Sequence, residues 1–483
     1  MKFLPALLFV TLAVQEPTFV NARVVDKRQT TIDVNAFMNK QTFISWVGLY
    51  RNVGNSGDYA RNVDPGGVIA SPSMSNPDYY YQWIRDSALV FKVILNQLIS
   101  GNSSVEVHLK NYVAESNKLQ HTPNPSGDYY SGGLGEPKFQ VNGTAFTGSW
   151  GITKDIPQLD GPALRAIVLI EYANTLLDRG GDTRYVTNNL YQAVLPYNTV
   201  IKADLEYVSH NWHVDNFDLW EEVNAQHFFT LMVQRRALLA GAELVDRLSD
   251  GGAATWYRQQ ADAIGGVLPR FWSSSKNFLQ ATLNQSNRQS LDCGTLLGSL
   301  HGNGKRGWGI FPPESDEVLA TLDALVNVFK SLYPINSNGA PGVAIGRYPE
   351  DTYDGTGTSV ANPWYLCTFT TAEIVYNVVK RYEDVGYITV GAKSLNFFQR
   401  FLPSATSGAT YASGSANFNI IVNGMLQFAD DQMGRAAYHT PDTGSLSEQY
   451  SRDNGFQKGA RDLTWSYASF LTTAWARSGN VAF

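Results

Sequence analysis

The sequence has few cysteines, few charged residues and no basic block. Cys293 and Cys367 are the only cysteines among 483 residues, which excludes a disulfide scaffold and a four-thiolate zinc site. Whether the two pair or stay as buried thiols is left open by the sequence. Charged residues make up 17% and hydrophobic residues 43%, which excludes a disordered or collagen-like chain. A net charge of −6 without a lysine- and arginine-rich segment also argues against a nucleic-acid partner.

Several common catalytic motifs are also missing. The chain has no H-E-x-x-H and no G-x-S-x-G, which removes two familiar hydrolase types. Residues 302–307 match G-x-G-x-x-G, but no predicted strand precedes them, so a dinucleotide site is not expected. His210 and His213 could share a helix face as metal ligands, yet no partner ligand is evident and ordinary helix-end histidines are the preferred interpretation. We therefore expect no metal and no cofactor.

The N-terminus has the features of a secretory leader. A lysine precedes an apolar run that is long enough for a signal peptide and too short to span a bilayer, and no later apolar run reaches 18 residues. We predict a signal peptide over 1–22, a short pro-segment over 23–28 ending in a dibasic site, and one catalytic domain over 29–483. Three sequons mark candidate glycosylation sites at Asn102, Asn142 and Asn284. Together these features predict a secreted glycoprotein with no membrane association.

Helical periodicity dominates the rest of the chain. Apolar residues recur at helical spacing over 34–52, 88–100, 105–120, 162–178, 184–197, 200–212, 225–248, 256–272, 316–333, 368–384, 388–402, 418–439 and 461–477. No long alternating pattern predicts a sheet. Short turns alternate with long loops rich in glycine, proline and aromatic residues. The pattern predicts helical hairpins that close into a toroid, with the long loops gathered at one end.

Aromatic residues are abundant, and many of them stand beside acids. The chain has 11 Trp, 25 Tyr and 24 Phe. Four segments at predicted helix starts mix Trp or Tyr with carboxylates: 78–86, 217–222, 347–353 with Trp364, and 447–450. Aromatic faces stack on sugar rings, and Asp, Arg and Gln bond hydroxyl groups, so these segments predict a carbohydrate site. The alternative is helix-start acids favoured by the helix dipole plus core aromatics.

Two glutamates are candidates for glycoside hydrolysis, which needs one protonated and one ionised carboxyl group. Glu221 stands between Trp220 and Glu222, and an apolar neighbour and a second acid would both raise its pKa toward that of a general acid. Glu448 stands between two polar residues, which favours an ionised general base.

Long motifs give the chain a resemblance to a known family. They cover 76–86 (NPDYYYQWIRD), 135–139 (GEPKF), 147–151 (TGSWG), 160–166 (DGPALRA), 218–224 (DLWEEVN), 346–353 (GRYPEDTY) and 460–467 (ARDLTWSY). From about residue 31 to 478 the chain resembles fungal glucoamylases of glycoside hydrolase family 15. The resemblance implies an all-α, six-fold α/α barrel of about twelve helices. It also implies inverting, exo-acting release of β-D-glucose from the non-reducing ends of starch, dextrins and maltooligosaccharides.

The resemblance also assigns residues. It implies Glu221 as general acid and Glu448 as general base. The substrate-binding candidates are Tyr79, Trp83, Arg85, Asp86, Trp150, Leu219, Trp220, Glu222, Arg347, Asp351, Tyr353, Trp364 and Gln449. The expected partners are α-glucans, acted on by a monomer.

Three departures from the family pattern bear on specificity. The segment 152–159 is longer than usual and lacks the arginine that normally follows Trp-Gly, and Phe217 stands where Tyr is common. After the predicted barrel the chain ends at Phe483, so no starch-binding domain is expected. Two alternatives therefore stay open: a relative tuned to isomaltose or other short α-glucosides, and a catalytically inactive carbohydrate-binding barrel.

Overall fold

The computed structural model describes residues 32–148, 157–181, 183–284, 288 and 290–483, of which Ile32–Phe483 pack as one unit. The segments predicted as signal peptide and pro-segment lie outside these residues. In chain order the α-helices of the described part are α1 Val34–Arg51, α2 Ile84–Ile99, α3 Glu106–His121, α4 Asp160–Asp178, α5 Thr183–Tyr185, α6 Val200–Asn211, α7 Phe228–Arg247, α8 Gly251–Val267, α9 Gly294–Asn303, α10 Asp316–Leu332, α11 Tyr365–Val385, α12 Leu395–Gln399, α13 Ala416–His439 and α14 Thr464–Arg477.

Six of these helices form a closed inner ring. Each packs on the next in the order α2, α4, α7, α9, α11 and α14, and α14 closes the ring on α2. Most residues of these helices are buried, because an inner helix is covered by neighbours on nearly every side. This arrangement confirms the predicted six-fold α/α barrel.

An outer layer covers the ring. Helices α1, α3, α6, α8, α10 and α13 each pack on an inner helix. They are amphipathic in the expected way: α8 buries Ala254, Tyr257, Ala261 and Ile264, three or four residues apart, and exposes most of the rest. Asp33, Asp250, Ser315 and Ser415 cap α1, α8, α10 and α13 by accepting a backbone N–H, which fixes where these helices begin.

The strands are short and paired. They are β1 Gln82–Trp83, β2 Lys138–Phe139, β3 Asn216–Phe217, β4 Asn224–Ala225, β5 Trp272–Ser273, β6 Phe278–Leu279, β7 Tyr387–Thr389, β8 Thr410–Ala412, β9 Gln449–Tyr450 and β10 Gln457–Lys458. They form five separate antiparallel pairs. Three of the pairs, β1 with β2, β3 with β4 and β9 with β10, hold loops that carry predicted site residues.

Two predicted helices are wrong in extent and one helix was missed. The predicted helix 184–197 ends in a π turn at Val186–Leu190, before the X-Pro bond at 195–196. The predicted helix 388–402 is strand β7, a turn and the short α12. The missed helix is α9, whose glycine-rich sequence weakens the helical signal, although every one of its residues is buried.

Cys293 and Cys367 form a disulfide across a separation of 74 residues, with Cα atoms 5.9 Å apart. The bond joins the start of α9 to the first turn of α11, two adjacent inner helices. It therefore fastens the chain on both sides of the segment that carries Arg347 and Trp364. The question that the sequence left open is answered in favour of a bridge.

Candidate active site

One cavity of about 250 Å³ lies where the inner helices begin. It is lined by Ala70, Tyr79, Trp83, Arg85, Asp86, Leu219, Trp220, Glu221, Glu222, Arg347, Tyr353, Trp364, Glu448, Leu463 and Trp465. Arg85 lies in the first turn of α2, Trp364 immediately precedes α11 and Trp465 lies in the first turn of α14. Helices that alternate in direction bring these starts together although they are far apart in sequence.

Glu221 sits in a tight turn between β3 and β4. The Asp218 carboxylate accepts the backbone N–H groups of Glu222 and Val223 at 2.7 and 2.9 Å, and the Asp218 carbonyl accepts that of Glu221 at 3.0 Å. The turn holds Glu221 at φ 64°, a left-handed conformation that costs a non-glycine residue about 1 kcal/mol or more. The Asp218 hydrogen bonds thus present the Glu221 side chain to the cavity.

Burial raises the pKa of the Glu221 carboxyl group, while Arg85, Lys138 and a hydrogen bond from Trp83 oppose that rise. The Trp83 Nε1–H donates to Glu221 Oε1 at 2.7 Å. The expected contribution of Glu222 is not among the main causes of the rise: Glu222 accepts a hydrogen bond from Arg347, and the Trp220 Nε1–H donates to Asp292. The nearby acid that raises the pKa is Asp218.

Glu448 is buried at 1% exposure immediately before β9. Burial raises the pKa of its carboxyl group to about 8, although hydrogen bonds with the Tyr79 and Tyr353 hydroxyls and the charge of Arg347 oppose this. Its polar sequence neighbours therefore did not predict the direction of the pKa shift, because the carboxyl group lies among tyrosines and not in water. Gly459, at φ 70°, leaves the room for this carboxylate: a Cβ there would lie 2.3 Å from Glu448 Oε2.

Arg85 and Asp86 start α2 and are both buried. Arg85 donates to Asp160 at 3.2 Å and to Gln158 at 3.1 Å, which join it to the start of α4. Burial raises the pKa of Asp86 to about 6, against the opposing charge of Arg85. The pair offers a charged donor and a carboxylate side by side, as recognition of sugar hydroxyls requires.

Arg347 is the centre of a second polar group. It donates two parallel hydrogen bonds to Asp351, at 2.7 and 2.6 Å, and one to Glu222 at 2.7 Å. Tyr348 also contacts Glu222. Asp351 therefore fixes the guanidinium group from behind, and Arg347 and Tyr348 hold Glu222 at the cavity wall.

Aromatic rings form the remaining wall. The Trp220 ring lies 5.5 Å from that of Trp364 and 6.5 Å from that of Trp465, centroid to centroid. Trp220 is fixed by Asp292, whose carboxylate oxygens lie 3.0 and 3.1 Å from the indole nitrogen. Burial raises the pKa of Asp292 to about 7. Such a set of rings can stack on the faces of a sugar.

Most of the predicted site residues meet in this cavity. Both glutamates line it, as do the substrate-binding candidates except Trp150, Asp351 and Gln449. Asp351 supports Arg347, and the Gln449 amide donates to Glu448 at 3.2 Å. Trp150 lies outside the described residues, as does most of the altered segment after it, and Phe217 is buried within β3.

Sequence reasoning missed several residues at the site. Ala70, Leu463 and Trp465 line the cavity, and Asp292 stands behind Trp220. Trp465 lies within the quoted motif 460–467, so its residue type could have indicated it. Asp292 offered no signal, because its role depends on the folded contact with an indole 72 residues away.

Three further predictions concern the surface and metals. Asn102, Asn142 and Asn284 are exposed, although the rest of the third sequon lies outside the described residues. Within the described ranges, no group of three or more His, Cys, Asp or Glu side chains could hold a metal ion. None of the described helices is both long and apolar enough to cross a membrane.

An α/α barrel whose end holds a half-buried and a buried glutamate, an arginine–carboxylate clamp and a wall of indole rings has the site of a glycoside hydrolase. The model of the family described as "Glycosyl hydrolases family 15" matches residues 44–475. The chain belongs to glycosyl hydrolases family 15.

Relatives and solved structures agree with this membership. The chain is 40% identical to the "Probable glucoamylase" of Schizosaccharomyces pombe, over 94% of each chain. It is 39% identical to "Glucoamylase 1" of Rhizopus oryzae, over 93% of this chain and 72% of that one. The solved family 15 glucoamylase from Hypocrea jecorina has a TM-score of 0.86 at 39% identity, covering 93% of this chain and 73% of that one. The glucoamylase from Saccharomycopsis fibuligera has a TM-score of 0.86 at 34% identity, covering 94% and 96%.

Proposed function

We propose that this glycoside hydrolase is a glucan 1,4-alpha-glucosidase that removes β-D-glucose from the non-reducing ends of starch, dextrins and maltooligosaccharides by inversion. Glu221 acts as general acid and Glu448 as general base. The observation that carries the proposal is that these two carboxyl groups line one cavity together with the arginine clamp and the indole wall. We further propose that the enzyme is secreted and acts as a monomer.

The acid step follows from the surroundings of Glu221. Burial raises the pKa of its carboxyl group, which favours the protonated form needed to donate to the glycosidic oxygen. Trp83 orients the carboxyl group by donating to Oε1, so Oε2 is the oxygen that can carry the proton. After bond cleavage the carboxylate that remains is stabilised by Arg85 and Lys138.

The base step assigns Glu448 the removal of a proton from water. Burial raises the pKa of Glu448 to about 8, and hydrogen bonds from the Tyr79 and Tyr353 hydroxyls, which lie 3.0 Å apart, oppose that rise by stabilising the carboxylate, the form in which Glu448 acts as base. In an inverting enzyme a water attacks the anomeric carbon from the face opposite the leaving group, and the base holds that water. The water's proton passes to Glu448 while its oxygen bonds the carbon and the glycosidic bond breaks.

Recognition of the terminal glucose falls to the polar groups around the cavity. Arg85, Asp86 and Arg347 supply donors and an acceptor for its hydroxyls, and the Leu219 backbone lies in the same wall. Trp364 and Glu222 contribute to the next subsite. A pocket at the end of the barrel, rather than a groove along it, favours attack on chain ends over internal bonds.

The test compares wild type with Glu221→Gln and Glu448→Gln on maltoheptaose. Each substitution is expected to lower kcat by about 10²–10⁴-fold, the typical contribution of a positioned acid or base. Glu106→Gln on the outer helix α3 is the matched control and keeps full activity. Full activity in either active-site variant would refute the role assigned to that residue.

Substrate preference is tested separately. A ratio of kcat/KM for maltoheptaose over isomaltose well above one supports the proposal, and the reverse would favour an enzyme of short α-glucosides. The altered segment after Trp150 keeps this second candidate open. Substrate binding without measurable hydrolysis would instead favour the inactive carbohydrate-binding barrel.

A further inference from the structure

Lys138 supplies one of the positive charges near Glu221, and its position against Trp83 gives it a second role. It is the cross-strand partner of Trp83 in the β1–β2 pair, and the Ile84 N–H donates to the Pro137 carbonyl at 2.9 Å. Directly opposed residues in such a pair have neighbouring side chains. The backbone therefore fixes Lys138 against the indole that bonds Glu221.

The Lys138 ammonium group is surrounded by three aromatic rings. Its Nζ lies 4.5 Å from the centroid of the Trp83 ring and 4.1 Å from the centroids of both Tyr81 and Phe146. The residue is only 8% exposed. A cation this close to three ring faces is attracted by their negative quadrupoles, and the attraction grows with desolvation. The contact therefore ties the orientation of the Trp83 indole to a fixed positive charge.

We infer that Lys138 is a positioning residue for the general acid: its ammonium group holds the Trp83 indole so that Nε1–H is aimed at Glu221 and the acid's other oxygen faces the glycosidic bond. A cation on the ring face also withdraws electron density, which makes the indole N–H a stronger donor. The inference rests on the proposed role of Glu221.

The charges around the acid agree with this arrangement. Arg85 and Lys138 lower the pKa of Glu221, while Asp218 raises it. Asp86 and Tyr79 also interact electrostatically with Glu221. Lys138 itself has its pKa lowered by burial and raised by Glu221 and Asp78. Lys138 thus stabilises the carboxylate left after proton donation, as Arg85 does.

The test uses Lys138→Met, which keeps the length of the side chain and removes its charge. Two substrates are compared: maltose, whose leaving oxygen must be protonated, and α-D-glucosyl fluoride, whose leaving group needs little help from an acid. We expect kcat on maltose to fall about 10–100-fold, which is part of the rate enhancement that a positioned acid contributes. We expect kcat on the fluoride to change by less than about threefold. Lys138→Arg, which keeps the cation, should recover most of the loss on maltose.

Equal losses on both substrates would show a merely structural role and overturn the inference, and so would no loss on either. Thermal unfolding by circular dichroism verifies that Lys138→Met folds, and Lys138→Arg keeps the test decisive if it does not. Glu221→Gln, measured in parallel, distinguishes a failure of the inference about Lys138 from a failure of the proposed general acid. If Glu221→Gln loses activity on maltose but keeps it on the fluoride, and Lys138→Met loses activity equally on both substrates or on neither, only the inference about Lys138 fails. If Glu221→Gln itself does not discriminate, the proposed acid is wrong.

Discussion

The disulfide between Cys293 and Cys367 gives a prediction whose magnitude follows from the chain. Replacing both cysteines by alanine opens a loop closed across 74 residues. The loop-closure relation gives an entropy of about 15 cal/mol/K for that length, or about 4.5 kcal/mol at 25 °C. For a folded unit of about 450 residues the entropy of unfolding at the midpoint is about 0.95 kcal/mol/K, so Tm should fall by about 5 °C.

The assay is differential scanning calorimetry of wild type, of the double alanine variant and of wild type with a phosphine reductant. Reduced wild type and the variant should unfold at similar temperatures, both below the oxidised protein. The loop also carries Arg347 and ends just beyond Trp364, so KM for maltose should rise by a few-fold in both. A Tm loss under 1 °C, with thiol titration showing that wild type was fully reduced, would refute the reasoning.

Three further predictions concern the site. Burial raises the pKa of Glu448 from 4.5 to about 8, so the folded chain keeps a proton that the unfolded chain loses, and stability falls as pH rises through that window. The change in the free energy of unfolding caused by Glu448→Gln should therefore be about 3 kcal/mol more favourable at pH 7 than at pH 4, as measured by urea unfolding. An equal change at both pH values would contradict this. Asp292→Ala should raise KM about 5–30-fold because Trp220 loses its hydrogen-bond partner, and Asp292→Asn should raise KM by less. Kinetics identical to wild type in both variants would contradict the role of Asp292 in fixing Trp220. Asp218→Ala should lower kcat about 10-fold or more with little change in KM, because the turn that presents Glu221 loses its hydrogen bonds; unchanged kcat would contradict it.

The helical period of the sequence predicted a toroid of helical hairpins, and the resemblance of its motifs implied the six-fold barrel. The prediction of helices failed where the local pattern of apolar residues and the tertiary contacts disagree. Helix α9 has a weak helical signal and forms because it packs between α7 and α11 within the ring. The segment 388–402 has helical spacing, but its first two residues pair in β7 with β8 through contacts that the spacing does not encode.

The candidate site was predicted to a similar extent. Residue type and motif indicated both glutamates and most of the cavity wall. Partner identity was not predictable: Trp83 rather than Trp220 bonds Glu221, and the environment of Glu448 is set by Tyr79 and Tyr353, more than 90 residues away. Asp292 and Lys138 act through indole rings, a relation that exists only after folding.

The central claim is that Glu221 and Glu448 act on opposite faces of one glycosidic bond. Proton NMR during the first minutes of maltoheptaose digestion tests it most directly, because the anomeric proton of released glucose is observed before mutarotation. We predict β-glucose as the first product of wild type, and none above background from Glu221→Gln or Glu448→Gln. The appearance of α-glucose first would contradict inversion and with it the role of Glu448 as a base that activates water.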